Sequence, residues 1–366
     1  MAMVRRALGV VALLALSCAV AQAAVQIITG PYLQSVTQTG ITVMWETSEP
    51  AASLVEFGKG GQLDRRAGHE EAVTIHEVWL EGLEPATEYS YRVVSGEAGS
   101  PVYAFKTAVL REQPFRFVVW GDNRSDPEMH HMVCEGMVAA RPDIAVNVGD
   151  VVARGDDYSL WGREFFGPAA ELFTRVPFWV AIGNHEGNTH WFYDFLSFPP
   201  PENYYSFDYG NSHFVVLDTN QDVSPSSAQH QWLVRDLESP ASREARWRFA
   251  FYHHPPYSEG WDSPGYDGEE EVREYVAPVL EQYGVNMAFA GHTHDYERGY
   301  LNGVYHIITG GGGSALDHWY QDWPQVTVAR SFYEFCTIDV QADRLLMQAC
   351  HPDGTVFDEV RLGEWE

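Results

Sequence analysis

The chain has 366 residues, with 51 Asp and Glu against 23 Lys and Arg, for a formal net charge of -28. Charge of this sign repels nucleic acid and anionic lipid, so neither is expected as a bulk partner. It leaves room for small anionic substrates, because bound metal ions can invert the field inside one cleft.

Residues 1–24 carry Arg5 and Arg6, an apolar run over 7–16, and small residues ending in Ala21-Gln22-Ala23. This is the pattern of a secretory signal peptide. The run is too short to span a bilayer comfortably, and no later stretch approaches the roughly 18 to 20 apolar residues of a transmembrane helix. Cleavage after Ala23 or Ala24 is expected, giving a secreted or periplasmic protein. Leu16-Ser17-Cys18 loosely matches a lipoprotein processing site, with Ala15 where an aliphatic residue is usual, and ranks second. The rest of the chain, about 340 residues, predicts two domains.

Residues 25–110 read as strand and turn. Apolar and polar residues alternate over 41–45, 53–57 and 89–94, punctuated by Gly40, Gly58, Gly60, Gly61, Gly82, Pro85 and Gly96. Short strands at this spacing predict a β-sandwich. Leu80, Pro85, Thr87 and Tyr89 resemble the leucine, proline, threonine and corner tyrosine of a fibronectin type III domain.

Residues 111–114 read as a linker, and strands then alternate with helices through 114–366. Strands are predicted at 115–120, 144–148, 178–182, 212–217, 248–252, 287–290 and 304–309. Helices are predicted after Asp126-Pro127, where a capping residue precedes proline, and over 228–237 and 269–282. The C-terminus is β-rich. Alternation of this kind predicts an α/β layered fold. Cys336 and Cys350 lie on successive C-terminal strands and are the pair to test for a disulfide, while Cys134 is expected to stay unpaired and buried.

Five short motifs sit at the ends of predicted strands: Gly121-Asp122-Asn123-Arg124, Gly149-Asp150, Gly183-Asn184-His185-Glu186, Tyr252-His253-His254-Pro255 and Gly291-His292-Thr293-His294. Ligands of an α/β sheet collect where strands end, so residues far apart in sequence can converge there. Singly, a Gly-Asp is a turn and a His-x-His means little. Carboxylate, amide and imidazole together suit borderline metals, and a carboxylate can bridge two ions.

In these motifs the chain resembles the calcineurin-like metallophosphoesterase superfamily, and within it the purple acid phosphatase branch. Gly183-Asn184-His185-Glu186 matches GNHE in full, and residues 291–298, GHTHDYER, match the branch's GHxHxYER. The resemblance implies a four-layer αββα catalytic domain behind the all-β sandwich, and two ions of iron, zinc or manganese. Asp150 would bridge them, Asn184, His253 and His292 would complete the second site, and Asp122 with His294 would serve the first. His185 would assist the leaving group. Apart from the resemblance, His254, beside His253, is expected to line the cleft or contact substrate there. The expected activity is hydrolysis of small phosphate monoesters or diesters by a metal-bridging hydroxide.

Two departures from the family pattern stand out. Ala153 occupies the place of the purple branch's tyrosine ligand, which predicts a protein that is not purple, and Arg124 occupies the place of the superfamily's histidine. The first site is then completed by water or by another residue, for which His130 is a candidate. Arg124 either grips the substrate phosphate or forms a structural salt bridge. The missing ligands and the fibronectin-like domain motivate an alternative, a catalytically degenerate cell-envelope binding or adhesion module. Glycines 310–313 either bring backbone close to the site or form a plain turn, and the aromatics of 191–195 are expected in core or loop packing.

Overall fold

The computed structural model describes residues 24–364. The signal-peptide reading and Cys18 fall on residues 1–23, outside those described. No helix among the described residues is long and apolar enough to cross a membrane.

The N-terminal region is all β. The strand Gly40–Gly58 is its spine, pairing antiparallel with Ile27–Gln34, Arg65–Glu81 and Glu88–Ser95. Its pairing with Arg65–Glu81 slips between Glu46 and Ala51, so the two halves of the strand keep different partners in register. Alternation buries Val43, Trp45, Val55 and Phe57. Tyr89 makes the corner that its sequence context predicts, its hydroxyl accepting from the Glu84 amide at 3.0 Å. Tyr32 and Tyr91 then reach out of this region to donate to the carbonyls of Phe195 and Thr174, at 2.8 and 2.9 Å.

Two further sheets follow. One has six strands in the order Val356–Gly363, Arg344–Cys350, Phe335–Val340, Phe115–Trp120, Ile144–Asn147, Phe178–Val180, the last three parallel. The other has seven, with Ser212–Val216, Trp247–Phe251, Met287–Ala290 and Val304–Thr309 parallel at its centre. They meet through aromatic rings: Phe117 lies 4.9 Å from Phe249 and 5.3 Å from Phe214, both edge-on. Edge-to-face pairs of this kind add to the burial that holds the sheets together.

Helices cover the outer faces. Pro127–Ala140 packs on the six-stranded sheet, and its start is the predicted one: Asp126 accepts from the Met129 amide at 3.0 Å and Pro127 takes the first turn. Ala228–Leu237 and the segment Val272–Gln282 cover the seven-stranded sheet, burying Leu233, Leu237, Val276 and Leu280 against Val215, Ala250 and Ala288. The result is the expected four-layer αββα sandwich behind an all-β region. The residues 191–195 fall on the helix His190–Phe195, with Phe192 and Phe195 in the core.

The Cys336–Cys350 pair is not bridged. Cys336 pairs with Ala349 and Cys350 with Phe335, so the two cysteines are one register step apart and project from opposite faces of the sheet. Both are free buried thiols, as is Cys134.

Candidate metal centre

All five motifs lie just past the C-terminal ends of parallel strands, which the two sheets bring to one rim. At each turn the backbone must bend sharply so that the ligand side chain faces inward. Asp122, Asp150 and His292 adopt positive φ of 55°, 56° and 72°, a region uncommon for residues other than glycine. The preceding Gly121, Gly149 and Gly291 leave room for the close approach: a Cβ on Gly291 would meet the Asp122 carboxylate. Gly310 and Gly312 serve the same end, since a Cβ there would meet the carbonyls of Thr293 and Gly121. Of the two readings of the glycine run, close backbone approach is the one observed.

Asp150, Asn184, His253 and His292 form one tight set. Asn184 Oδ1 lies 3.0 Å from both His253 Nε2 and His292 Nδ1, the two histidine nitrogens are 3.2 Å apart, and Asp150 Oδ1 is 3.3 Å from His253 Nε2. His253 Nδ1 donates to the Val148 carbonyl at 2.9 Å, which turns the Nε2 lone pair inward. Burial opposes a charge on His253, yet Asp150 and Asp122 push its pKa up to about 9. Burial, then His253, holds His292 well below the usual imidazole range, so its ring is neutral. Without a metal ion, the proton that this raised pKa places on His253 Nε2 is shared among Asp150, Asn184 and His292. Carboxylate, amide oxygen and two imidazoles at this mutual spacing fit one divalent ion.

Asp122, Asp150 and His294 form the second grouping, and ligand atoms of Asp122, Asp150 and His253 lie within 4.8 Å of one another. Here the fit to an ion is different. Arg124 Nε donates to Asp150 Oδ2 at 3.2 Å and Arg124 Nη2 to His294 Nε2 at 3.3 Å. His294 Nδ1 donates to the Ala315 carbonyl at 2.8 Å, and burial lowers its pKa, so the neutral ring has one inward lone pair. That lone pair faces the guanidinium. Both oxygens of Asp122 accept from the His292 amide, at 2.9 and 3.0 Å. As arranged, this grouping does not fit an ion.

His185 stands at the edge of the set. Its Nδ1 donates to the Ala153 carbonyl at 2.7 Å, leaving Nε2 3.8 Å from Asp150 Oδ2. Ala153 therefore contributes its backbone where the family pattern has a side chain. His254 packs 4.4 Å from the His292 ring, with Nδ1 bonded to the Thr219 hydroxyl at 2.9 Å, and burial drives its pKa down to about 3. His130 is not brought to the centre: it bonds the Glu164 carbonyl at 2.8 Å and stacks on Phe165, so it is not the replacement ligand.

Several residues escaped sequence reasoning. Glu186 accepts the amides of Gly183, Asp150, Val151 and Val152 at 2.7 to 3.3 Å, tying two ligand loops to one carboxylate. Burial and then Asp150 raise its pKa to about 7. The last letter of GNHE was its only trace. Trp261 and Tyr266 wall the cleft, with rings 4.7 and 5.2 Å from His292. Asp262 and Asp317 also line this cavity of about 270 Å³, into which Arg124, Asp150, Asn184, His185, His292 and His294 open.

Comparison with known proteins gives the family of the fold. The family profile Calcineurin-like phosphoesterase matches residues 116–296, and Purple acid Phosphatase, N-terminal domain, matches residues 29–107. Purple acid phosphatase 15 of Arabidopsis thaliana is 29% identical over 307 residues, covering 67% of this chain and 55% of its own. Acid phosphatase type 7 of Mus musculus is 28% identical over 336 residues, covering 75% of each. The purple acid phosphatase from yellow lupin (Lupinus luteus) seeds shares the fold at a TM-score of 0.80 and 21% identity, over 91% of this chain and 74% of that one. The chain spans 55 to 60% of the length of the first Arabidopsis relatives.

Fold and site together define a calcineurin-like phosphoesterase domain. With the purple acid phosphatase N-terminal domain ahead of it, the chain belongs to the purple acid phosphatase-like branch of that superfamily.

Proposed function

We propose that the protein is an exported, metal-dependent hydrolase of small phosphate monoesters or diesters. One observation carries the reading: Asp150, Asn184, His253 and His292, each from a different strand end, bring carboxylate, amide and imidazole atoms to within 3.0 to 3.3 Å of one another at one point. The family resemblance implies two ions of iron, zinc or manganese, and this set has the donor atoms for one. An ion there would lower the pKa of a bound water and polarise a phosphoryl oxygen.

The chain's own groups do the rest. Arg124, whose planar fork suits phosphate oxygens, orients and neutralises the phosphoryl group. His185, aimed by the Ala153 carbonyl, holds the proton that the departing alkoxide needs. Trp261 and Tyr266 screen one side of the cleft from water. The export half of the proposal rests on residues 1–24.

A second reading is a catalytically degenerate binding module. Arg124 among the ligands of the first site favours it, and two relatives, at 24% identity, are named as probable inactive purple acid phosphatases. Hydrolysis of p-nitrophenyl phosphate and bis-p-nitrophenyl phosphate, with and without manganese, zinc or iron, separates the two. Metal-dependent turnover that Asn184→Ala abolishes supports the hydrolase, and the preferred ester narrows its substrate. No turnover with any metal supports the binding module.

A further inference from the structure

Arg124 stands at the place in its motif where the superfamily has a histidine ligand, and its guanidinium lies between Asp150 Oδ2 and His294 Nε2, at 3.2 and 3.3 Å. We infer that this guanidinium takes the place of the first metal ion, so that the protein holds a single ion, at Asp150, Asn184, His253 and His292. The inference rests on the metal-dependent reading proposed above.

Three observations carry it. The first is charge. Asp150 is 1% exposed, and its buried carboxylate, 3.2 Å from the Arg124 guanidinium and 3.3 Å from His253, draws compensating cations. Arginine is always charged and supplies one of them covalently. The second is the lone pair of His294. With Nδ1 committed to the Ala315 carbonyl, Nε2 of the neutral ring has one lone pair, which cannot serve a guanidinium and an ion at once. The third is anchoring. The Arg124 amide donates to the Asp150 carbonyl at 3.3 Å and its own carbonyl accepts from the Ser314 hydroxyl at 3.2 Å, so the backbone as well as the side chain is held at the site.

The other ligands that would draw an ion in are missing as well. Ala153 contributes only backbone atoms, and His130 is engaged with the Glu164 carbonyl at 2.8 Å. Arg124 Nη1 makes no bond to any described residue, which leaves an N–H for a phosphoryl oxygen. A guanidinium can neutralise and orient that oxygen but cannot acidify water as a metal does, so production of the nucleophile falls to the single ion.

The test is a metal count. The full-length mature protein is loaded with excess manganese, desalted, and measured by inductively coupled plasma mass spectrometry and by electron paramagnetic resonance. The expected result is one equivalent with the spectrum of an isolated ion. Arg124→His, which restores the family ligand, is expected to hold two equivalents with an exchange-coupled spectrum. Arg124→Gln, which keeps the length and removes the charge, is the second variant, and circular dichroism checks that each is folded. Two equivalents in the unmodified protein would overturn the inference and leave the metal-dependent reading intact. Folded variants that both stay at one equivalent would also overturn it. No bound ion in the unmodified protein or in either variant would overturn both.

Discussion

Asn184 Oδ1 and His253 Nε2 lie 3.0 Å apart, and with Nδ1 committed to the Val148 carbonyl only an added proton or a metal ion at Nε2 can join them. A metal ion there would take the place of that proton and bind Asn184 and His253 together. Asn184→Ala is therefore expected to lose the bound ion and to lower hydrolysis on the order of 100-fold or more, since even weakening a ligand's support costs 10- to 100-fold. Metal content and turnover, measured on the same preparation, should fall together. Full metal content with the alanine in place would refute the site.

His185 touches the centre without belonging to the acceptor set. His185→Ala should keep the metal content and lower kcat on the order of 100-fold or more, the usual worth of a positioned proton donor. The loss should be larger for phenyl phosphate than for p-nitrophenyl phosphate, whose leaving group needs less help. Equal losses on the two esters would assign His185 a role in binding instead.

Glu186 gathers four backbone amides from the loops that carry Asp150 and Asn184. In Glu186→Gln an amide group would confront some of those donors with a donor. Destabilisation of about 2 kcal/mol is expected from unsatisfied buried groups, together with weaker metal binding as the ligand loops loosen. Urea unfolding and a manganese titration read the two effects separately. An unchanged midpoint and unchanged affinity would show that the clamp contributes nothing.

His213 provides a pH-dependent test away from the site. It is 2% exposed, with Nδ1 2.7 Å from Asp208 and Nε2 2.8 Å from Asp236. Burial alone would lower its pKa, but the two carboxylates push it up to about 9. The folded value lies above the unfolded one, so the stabilisation is present in full below about pH 6.5 and is lost as pH rises through about 9. Its size is of order 2 kcal/mol, discounted because Asp208 is largely exposed. Tm of the unmodified protein should fall over this window, and His213→Gln should start lower and flatten the fall. Parallel curves for the two proteins would rule the linkage out.

Because Cys336 and Cys350 face opposite sides of their sheet, dithiothreitol should leave Tm unchanged. A drop on reduction would mean that a bridge exists.

The amino-acid sequence by itself determined the layers and marked out the candidate ligand residues. Periodicity, capping residues and strand-end motifs are local signals, and ion-binding chemistry tolerates few side chains, so Asp122, Asp150, Asn184, His253, His292 and His294 stood out before any of them had a position. Tertiary structure alone decided what those side chains do to one another. That Arg124 meets His294 across 170 residues, that Glu186 ties two loops together, and that Trp261 walls the cleft all depend on how two sheets converge. The same holds for the one-step register between Cys336 and Cys350, which a strand pattern of period two cannot specify until its partner strand is in place.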